Sequence, residues 1–600
     1  MKLDRIFCCV MLVSGVVYAE NSTNILSVDI YAMPISSAWI AGQPDSIGGS
    51  IAIEPRVIIN SQGGKSVQND ISIRGSSFSE AGITISGIPL RNPQTEHFHA
   101  ELPLSGALFS SPRMLTGFGQ VLQTDGFLAG SINFDFLPVT GISHIEAGGG
   151  SPTHRWGSLF YQYVLPSQKE QTWRSGVSIF GMSEKMEEVD YKDNELTRTA
   201  GGIHFQTLSK DLQANIVFGS QKKEFGVRGY YGVSPALGGN ETLDDTVAMG
   251  ISSWQVSSGT RFIVGVSTRR LEDSYALYFS PSNYVNHHVS TIMSATISGE
   301  HILTSCMNFI WRAYTAGEKI ESTRLGEHSR REDILTVMPC FTNSILQANA
   351  GIRTRWMRDF DKTFYEPVGG VIVPLGDGFS SYISYSHSSR QPSYTELNYE
   401  SPGSLGNRGL EPEESIEGEG GIKWTDGALL SCKVSVFTRR TENTVDWIKA
   451  SSDSPRWEAT NIGDVETMGT EMEVVYTPVP LAQLHFLYTY LDKNSETNFY
   501  ASRYVMDFPE HYLKFIAKCR ITQQLELAFS QTLRIQRDNQ LRNSDNVGAV
   551  GDIYLKLVPP KEKGIEFTLS VDNLWNDDFE FFAGQRAPGR RISLSLTSYF

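Results

Sequence analysis

The sequence predicts a transmembrane antiparallel β-barrel of about 22 strands, with an amino-terminal α/β plug domain inside its lumen. Three observations support this fold class. The stretch from Arg591 to Phe600 alternates apolar and polar side chains, as a strand with one apolar and one polar face does. The same alternation persists from residue 141 onward, with charged residues on the polar face. The predicted strands are joined by short turns and by long polar loops, which is the outer-membrane pattern.

Composition narrows the class of protein. Six hundred residues would usually make several soluble domains, and the alternative is one very large closed barrel. The net charge of −15 and the sequence pI of about 5.4 argue against a nucleic-acid partner. The 54 glycines and 11% aromatic residues suit many strands joined by tight turns. The mean hydropathy of −0.22 is too polar for a helical membrane protein, and no later apolar run reaches the ~18 residues of a spanning helix.

The first 19 residues have the features of a secretory signal peptide. Lys2 and Arg5 form a basic start, residues 6–17 are apolar, and residues 17–19 form a small-x-small cleavage site. We therefore predict that the mature chain begins at Glu20. The alternative is a membrane anchor, but the apolar segment is too short to span a bilayer comfortably.

Residues 20–140 lack the long alternating stretches of the rest of the chain and predict a small globular α/β unit. Apolar stretches such as 70–75 and 82–90 are short and are interrupted by Gly, Pro and Asn. A polar loop, residues 92–99, follows them. A barrel of about 22 strands is wide enough to need a plug, and this unit has a suitable size to fill it.

Residues 141–600 predict the barrel itself. Segments such as 483–490, 525–536 and 565–572 alternate, with polar and charged residues on one face. Charges are costly in the dry core of a soluble β-sandwich but ordinary in a water-filled lumen, so the pattern favours a barrel. Roughly 460 residues give about 21 per strand with its connection, and a spanning strand takes ~9–11 of them. About eighteen strands with longer loops would also fit this length.

Motifs for other functions are absent from the sequence. Gly64-Lys65-Ser66 ends like a phosphate-binding loop, but Ile59 stands where the opening glycine would be. There is no Gly-x-Ser-x-Gly and no His-Glu-x-x-His, so we predict that the protein is not an enzyme. We expect no cofactor, although a transported ligand can carry a metal. Four cysteines follow the signal, and their wide spacing predicts neither a disulfide framework nor a zinc site: Cys306, Cys340, Cys432 and Cys519.

Three separated regions of the sequence resemble one known family. The first comprises Asp70 to Gly75, Gly87 to Leu90 and Pro93 to Pro103. The second comprises Arg390 to Leu397, Gly406 to Glu413 and Glu419-Gly420. The third comprises Asn461 to Gly463, Gly469 to Glu471, Asp572 to Leu574 and Ala587 to Phe600. In this order they resemble the plug core, the mid-barrel signature and the carboxy-terminal barrel of the TonB-dependent receptors of the Gram-negative outer membrane.

The resemblance covers nearly the whole mature chain and implies an active transporter of the outer membrane. Such a receptor binds a scarce extracellular solute and does no covalent chemistry on it. A TonB-like periplasmic partner then uses the proton-motive force to move the plug. Siderophores, cobalamin, haem, other metal complexes and oligosaccharides all stay open as ligands. We expect a monomer in the lipid bilayer. The alternatives are a passive porin-like channel and an outer-membrane adhesin or enzyme, and neither explains a separate unit at residues 20–140.

The plug region departs from the family pattern in three places. The usual leucine-rich stretch ending in Pro-Gly-Val before Asp70 is reduced to Ile53 to Val57. Ser86 replaces the usual acidic residue before the plug glycine, and residues 117–121 replace a late Tyr-Gly motif. The resemblance therefore supports the fold of the plug more strongly than its energy coupling.

The segment expected to contact TonB lies near the mature amino terminus. Such a segment adds as a strand to its periplasmic partner through backbone hydrogen bonds. Our candidate is the extended, β-prone run Leu26, Ser27, Val28, Asp29, Ile30, Tyr31 and Ala32. The alternative is a first plug strand or a plain linker.

A ligand of such a receptor would lie between the tip of the plug, the inner wall and the outer loops. His97 and His99 would share one face of an extended segment and would contact a metal chelate or haem, or else join plug to barrel by hydrogen bonds. Tyr394, Tyr399 and Trp457 are candidates on the loops, with packing as the alternative role. The plug candidates are Ser76, Ser77, Phe78, Glu80, Asn92, Gln94, Glu96, His97 and His99.

Two further roles are predicted. Arg74 with Glu413 and Glu414 would join the plug to the wall, because paired charges hold a wet interface without a hydrophobic seal. Phe600 resembles the closing-strand signal that the outer-membrane assembly machinery reads.

Overall fold

The structure is a computed structural model, in which a closed β-barrel surrounds a smaller α/β unit. The predicted signal peptide, residues 1–19, and the candidate TonB segment, residues 26–32, lie outside the described residues. The described residues are 47–51, 54–63, 66–123, 127–151, 153–166, 173–188, 194–231, 236–278, 283–427, 429–559 and 564–600.

The smaller unit, which we call the plug, comes first in the described chain. A buried cluster that includes Ile73, Ile83, Ile132 and Phe134 forms its core. Its elements are α1 (Ile47–Ile51), β1 (Val57–Gln62), β2 (Gln68–Ile73), a 3₁₀ turn (Phe78–Glu80), β3 (Ala81–Ile85), β4 (Ile88–Pro89), a 3₁₀ turn (Gly106–Leu108), β5 (Arg113–Leu115), α2 (Gly117–Gln123) and β6 (Gly130–Phe134). Strands β1 and β2 pair as an antiparallel hairpin, while β4, β3, β6 and β5 form a second sheet in that order, in which β3 and β6 are parallel.

The barrel has 22 antiparallel strands, which confirms the predicted fold class and excludes the eighteen-stranded alternative. Each strand pairs with the next one along the barrel, and the last strand closes the barrel against the first. The strands are β7 (His144–Gly150), β8 (His154–Val164), β9 (Arg174–Met186), β10 (Leu196–Leu208), β11 (Leu212–Gly226), β12 (Gly239–Ser257), β13 (Thr260–Leu277), β14 (Tyr284–Thr304), β15 (Met307–Ser322), β16 (Gly326–Thr342), β17 (Gln347–Met357), β18 (Lys362–Gly376), β19 (Phe379–Arg390), β21 (Glu413–Thr425), β22 (Leu430–Glu442), β25 (Val465–Val479), β26 (Ala482–Ser495), β28 (Pro509–Arg520), β29 (Leu525–Gln536), β30 (Val547–Leu557), β31 (Ile565–Asp572) and β34 (Arg591–Tyr599).

The two faces of the wall differ in polarity as the alternation predicts. In β34, Ser593 and Ser595 are buried towards the lumen, whereas Leu594 and Leu596 are exposed on the outer surface. The same contrast recurs around the barrel, with exposed Ile, Leu, Val, Phe and Tyr side chains outside. An apolar outer band and a polar inner face are what a lipid-facing barrel requires. None of the described helices is long and apolar enough to cross a membrane.

The connections between strands also differ between the two rims. On the rim that holds Phe600, which we call the turn rim, connections such as 258–259 and 377–378 are short. The opposite loop rim carries long connections such as 391–412 and 443–464. Small elements form within the long loops: α3 (Tyr394–Asn398), a four-stranded sheet in the order β20 (Ser404–Leu405), β24 (Trp457–Asn461), β23 (Val445–Lys449) and β27 (Ala501–Ser502), and the pair β32 (Glu580–Phe582) and β33 (Gln585–Arg586).

Arg74 joins the plug to the barrel wall. It follows β2 in a left-handed conformation, with φ 53°, and its side chain is almost completely buried. One guanidinium nitrogen, Nη1, lies 2.8 Å from Glu417 Oε1 and 3.0 Å from Glu419 Oε2, and Nη2 lies 2.7 Å from Glu471 Oε2. Burial alone would lower the pKa of Arg74, but the three carboxylates raise it well above its ordinary value. The guanidinium therefore stays charged in the interface.

The predicted partners of Arg74, Glu413 and Glu414, are wrong. Glu413 faces the lumen but lies four residues before Glu417 on β21, where it pairs with Arg390. Glu414 points to the other face of the strand and lies 3.3 Å from His387. Arg74 does contact carboxylates of the wall, but the stagger of the strands decides which carboxylates stand level with it.

We predict that Arg74→Gln loosens the plug, because it leaves three buried carboxylates short of their main counter-charge. Breaking a buried ion pair in this way costs about 3–5 kcal/mol. The readouts are thermal unfolding of the purified protein and the rate at which protease cleaves residues 47–134. The control is Arg113→Gln, which removes a half-exposed pair with Asp135 in the same plug and should cost at most about 1 kcal/mol. Equal effects of the two variants would contradict this account.

We also predict that Phe600→Ala lowers the amount of assembled barrel. The ring is 63% exposed, so its removal leaves no cavity, and the backbone bonds with Ser143 (N to O, 2.9 and 3.0 Å) stay intact. The measurement is the heat-modifiable fraction in the outer membrane, beside that of a variant lacking Phe600. If only the deletion lowers assembly, the backbone pairing matters and the aromatic ring is not a signal.

Candidate functional site

The plug meets the loop rim at a small cluster of aromatic rings. Phe78 and His97 of the plug stack with ring centroids 3.8 Å apart and planes at 20°. Two loops of the rim contribute Tyr504, edge-on to Phe78 at 5.0 Å, and Tyr231, 6.4 Å from His97. Aromatic rings attract one another at these spacings. We call Phe78, His97, Tyr231 and Tyr504 the aromatic cluster.

Polar plug residues hold the histidine of the cluster. His97 Nδ1 lies 2.8 Å from Asp70 Oδ1 and 3.1 Å from Gln68 Nε2. Gln68 also accepts a hydrogen bond of 2.6 Å from the hydroxyl of Tyr231. One side chain of the plug therefore positions both the imidazole and a tyrosine of the surrounding loop. His97 and Tyr231 remain partly accessible.

His99 lies inside the plug rather than beside His97. Phe98, between them, has φ 64°, so the chain turns there instead of running extended. His99 Nε2 is 3.1 Å from Glu96 Oε2, and its Nδ1 is 3.2 Å from the carbonyl oxygen of Ala81. The predicted common face of the two histidines is therefore wrong.

The remaining candidates in the loop 92–99 fix its shape. Asn92 accepts a hydrogen bond of 3.1 Å from the backbone N–H of Gln94, whose own side chain points to the barrel wall. Glu96 pairs with Arg91 at 2.5 Å. Burial would raise the pKa of Glu96, but Arg91 and His99 lower it well below its ordinary value. Glu96 is thus a charged structural residue within the plug.

The candidates between Ser76 and Glu80 build the turn that carries Phe78. Ser76 Oγ accepts from the backbone N–H of Ile73 at 3.1 Å. Glu80 Oε2 accepts from the backbone N–H of Ser77 at 2.8 Å, which closes a capping box around the short 3₁₀ turn. Of the nine predicted plug residues, only Phe78 and His97 therefore reach the aromatic cluster.

More tyrosines extend the cluster along the wall. Tyr275 of β13 lies 5.9 Å from Tyr231. Asn286 of β14 donates its amide to the hydroxyl of Tyr284 at 3.2 Å and to that of Tyr399 at 3.5 Å. Tyr399, a sequence candidate, thus stands with other half-buried tyrosines between the wall and the loop 391–412.

Asp446 fixes the loop that carries Tyr504. Its buried carboxylate accepts hydrogen bonds from the Ser502 hydroxyl and from the backbone N–H groups of Trp447 (2.8 Å), Tyr504 (3.3 Å) and Val505 (3.3 Å). Burial raises the pKa of Asp446 to about 7, although these hydrogen bonds act in the opposite direction. A single carboxylate therefore sets the position of Tyr504.

Arg503 adds positive charge beside the aromatic cluster. Its guanidinium carbon lies 5.3 Å from the ring centre of Tyr504 and 5.6 Å from that of Trp457, another sequence candidate. Both contacts fall within the range of cation–π attraction. Arg503 is partly accessible, so it can also meet a bound molecule.

This combination of rings and one cation suits non-covalent binding of a flat, anionic or electron-rich molecule. Within the described ranges, no group of three or more His, Cys, Asp or Glu side chains could hold a metal. Tyr394, the third loop candidate, is buried against His328, with ring centroids 6.0 Å apart, and lies outside the cluster.

Sequence reasoning missed Tyr231, Arg503 and Tyr504. They lie in loops without periodicity, and no spacing rule marks them as neighbours. The only local signal is the pair Tyr230-Tyr231 in a long polar loop. They approach Phe78 and His97 because the loops pack on the plug, and no local sequence pattern predicts that packing.

Comparison with known proteins identifies the barrel. Residues 340–574 match the family model described as TonB dependent receptor-like, beta-barrel. No curated protein matches the chain significantly.

Solved structures share the fold over nearly the whole chain. The ferric enterobactin receptor of Pseudomonas aeruginosa is 13% identical with a TM-score of 0.74, over 95% of this chain and 98% of that one. The siderophore receptor PirA of Acinetobacter baumannii is 12% identical with a TM-score of 0.73, over 95% and 97%. The FrpB iron transporter of Neisseria meningitidis is 14% identical with a TM-score of 0.69, over 93% and 97%. Identities this low establish a common fold and not a common ligand.

The wall and the plug agree with this comparison. A closed 22-stranded barrel with an apolar outer band surrounds a separate α/β unit. Together with the match of residues 340–574 to the family model, these features give the chain the fold of a TonB-dependent receptor and indicate the Gram-negative outer membrane.

Proposed function

We propose that the protein imports a scarce extracellular solute into the periplasm and that a TonB-type partner drives the plug movement. The observation that supports this most directly is that the plug supplies the floor of the aromatic cluster, through Phe78 and His97. A ligand bound there touches plug and loops at once. Ligand binding and plug position are then linked, because the ligand prefers the arrangement in which both surfaces are present.

The ligand we propose is a siderophore, cobalamin or another metal complex. Arg503 and the surrounding rings favour flat or anionic groups, which such complexes present. The solved structures with this fold include a ferric enterobactin receptor and a siderophore receptor, which supports a ferric siderophore as the first candidate.

The plug also argues against the alternatives. A passive channel needs an open lumen, whereas this lumen holds a domain fixed by buried ion pairs such as Arg74 with Glu417. An adhesin or an enzyme would place its working residues on the loops alone and would need no such domain. We infer that the protein transports its ligand without changing it.

We predict that Arg503→Ala weakens ligand binding about tenfold or more, since a hydrogen bond to a charged group contributes roughly 1.5–3 kcal/mol. The assay follows tryptophan fluorescence of the purified receptor, because Trp457 lies beside Arg503. The panel comprises ferric catecholates, ferric hydroxamates, haem and cyanocobalamin.

The matched control is Arg586→Ala, which removes an exposed arginine from another loop of the same rim. It should bind as the wild type does. If no member of the panel binds, or if both variants lose affinity equally, the aromatic cluster is not the ligand site.

We further predict that replacing residues 26–32 by a glycine–serine stretch of equal length abolishes uptake and leaves binding unchanged. The reason is that strand addition to the periplasmic partner requires this sequence, whereas the ligand site does not. The measurement is accumulation of labelled ligand in cells, with and without an uncoupler. Uptake that resists both the replacement and the uncoupler would favour a passive channel.

A further inference from the structure

Two carboxylates of the inner wall, Glu241 of β12 and Asp273 of β13, lie close to the aromatic cluster. In the register of these strands Glu241 stands opposite Tyr275 and Asp273 opposite Leu243. The two carboxylates are therefore diagonal neighbours on one face of the sheet. Each side chain is only 4% exposed. Two acidic groups, which contact each other, thus share a buried place.

Neither carboxylate forms an ion pair with a basic side chain among the described residues, although Lys223 and His288 lie close enough to interact with them electrostatically. Glu241 Oε2 and Asp273 Oδ1 have no hydrogen-bond partner there. Lys223, on the strand next to β12, donates its ammonium group to the carbonyl of Val67. His288, opposite Asp273, directs its Nδ1 to a serine hydroxyl at 2.7 Å. Two buried carboxylates without an ion-pair partner are strongly unfavourable as charges, so this pair needs either a bound cation or a shared proton.

Two amide side chains bring further oxygens to the same place. Gln94 of the plug donates its Nε2 to Asp273 Oδ2 at 2.7 Å, so its amide adjoins that carboxylate. Its Oε1 has no partner in the described structure, and neither has Oδ1 of Asn286. Asn286 stands opposite Tyr275 on β14 and is therefore a diagonal neighbour of Asp273. Both amides are buried, with 2% and 1% exposed.

We propose that Glu241, Asp273, Gln94 and Asn286 form a binding site for a hard divalent cation, for which calcium is the best fit. Calcium prefers carboxylate and amide oxygens and tolerates irregular geometry, with water completing its coordination. The set contains no thiolate and no imidazole, so softer metals have no favoured ligand. The cation supplies the positive charge that the two carboxylates lack.

Such a cation joins the plug to the wall beneath the aromatic cluster. Gln94 belongs to the plug loop, whereas the other three ligands come from three consecutive wall strands. Tyr231 lies 5.9 Å from Tyr275, which stands opposite Glu241 in the strand register, so this cluster tyrosine borders the site. Cation binding therefore stiffens the floor of the cluster. The inference is independent of the transported solute and of the proposed function.

The test uses the full-length receptor in detergent after treatment with EGTA. Calcium should raise its melting temperature, and terbium should luminesce when tyrosine is excited, because Tyr231 and Tyr275 border the site. Asp273→Asn should weaken calcium binding at least about tenfold and remove most of the luminescence. The matched control is Asp244→Asn, which makes the same change on the exposed face of β12 and should bind calcium as the wild type does.

The variant Glu241→Gln helps to distinguish two explanations of the buried pair: a bound cation, or a proton shared between the two carboxyl groups. The cation site predicts that this variant melts higher than the calcium-free wild type, because a repulsion is removed, and gains nothing from calcium. A shared proton predicts that calcium and terbium leave even the wild type unchanged, and that result would overturn the proposal. Calcium affinity that survives Asp273→Asn would overturn it too. The wild-type titration decides the matter even if a variant fails to assemble.

Discussion

Buried ion pairs between plug and wall are the interaction on which the rest of this structure depends. The inner face of this barrel is largely polar, although wall residues such as Phe160 and Val247 join the apolar cluster of the plug. Directional contacts are therefore needed to fix the domain. Arg74 contacts three wall carboxylates, and Arg91 lies 3.6 Å from a fourth, Glu332. Such pairs are specific in direction, but desolvation offsets much of their attraction. The plug is thereby fixed in one orientation without being held too tightly to move.

These plug–wall contacts set the geometry of the aromatic cluster. Phe78 is carried by a turn only a few residues after Arg74, and His97 by a loop that begins beside Arg91. Tyr231 and Tyr504 then pack on the two plug rings from opposite loops. A shift of the plug towards the turn rim would move Phe78 and His97 away from Tyr231 and Tyr504, while the loops stayed in place. If the aromatic cluster is the ligand site, as proposed, its coupling to the position of the plug would need no further contacts.

The sequence predicted the architecture because side-chain alternation reports directly on the two environments of the wall. The run at 591–599 already shows which face meets lipid. The sequence also marked Arg74 as a plug–wall contact, but it named Glu413 and Glu414 as the partners instead of Glu417 and Glu419. Strand stagger is set by the closure of the whole barrel, so no local pattern gives it. The loops that carry Tyr504 and Arg503 escaped prediction for a related reason: their position is set by Asp446, which lies far from them in sequence.

Pairing of β34 with β7 brings together residues as far apart in the chain as Ser593 and Gly150. Until β34 is present, β7 and the newest strand each present an unpaired edge with apolar side chains on one face. Such edges are templates for aggregation. The entropic cost of closing a loop of about 440 residues rises only slowly with its length, so this cost does not prevent closure. The risk of aggregation therefore depends on how long the edges stay unpaired. Prompt pairing of β34 with β7 therefore shortens the time for which these edges are exposed.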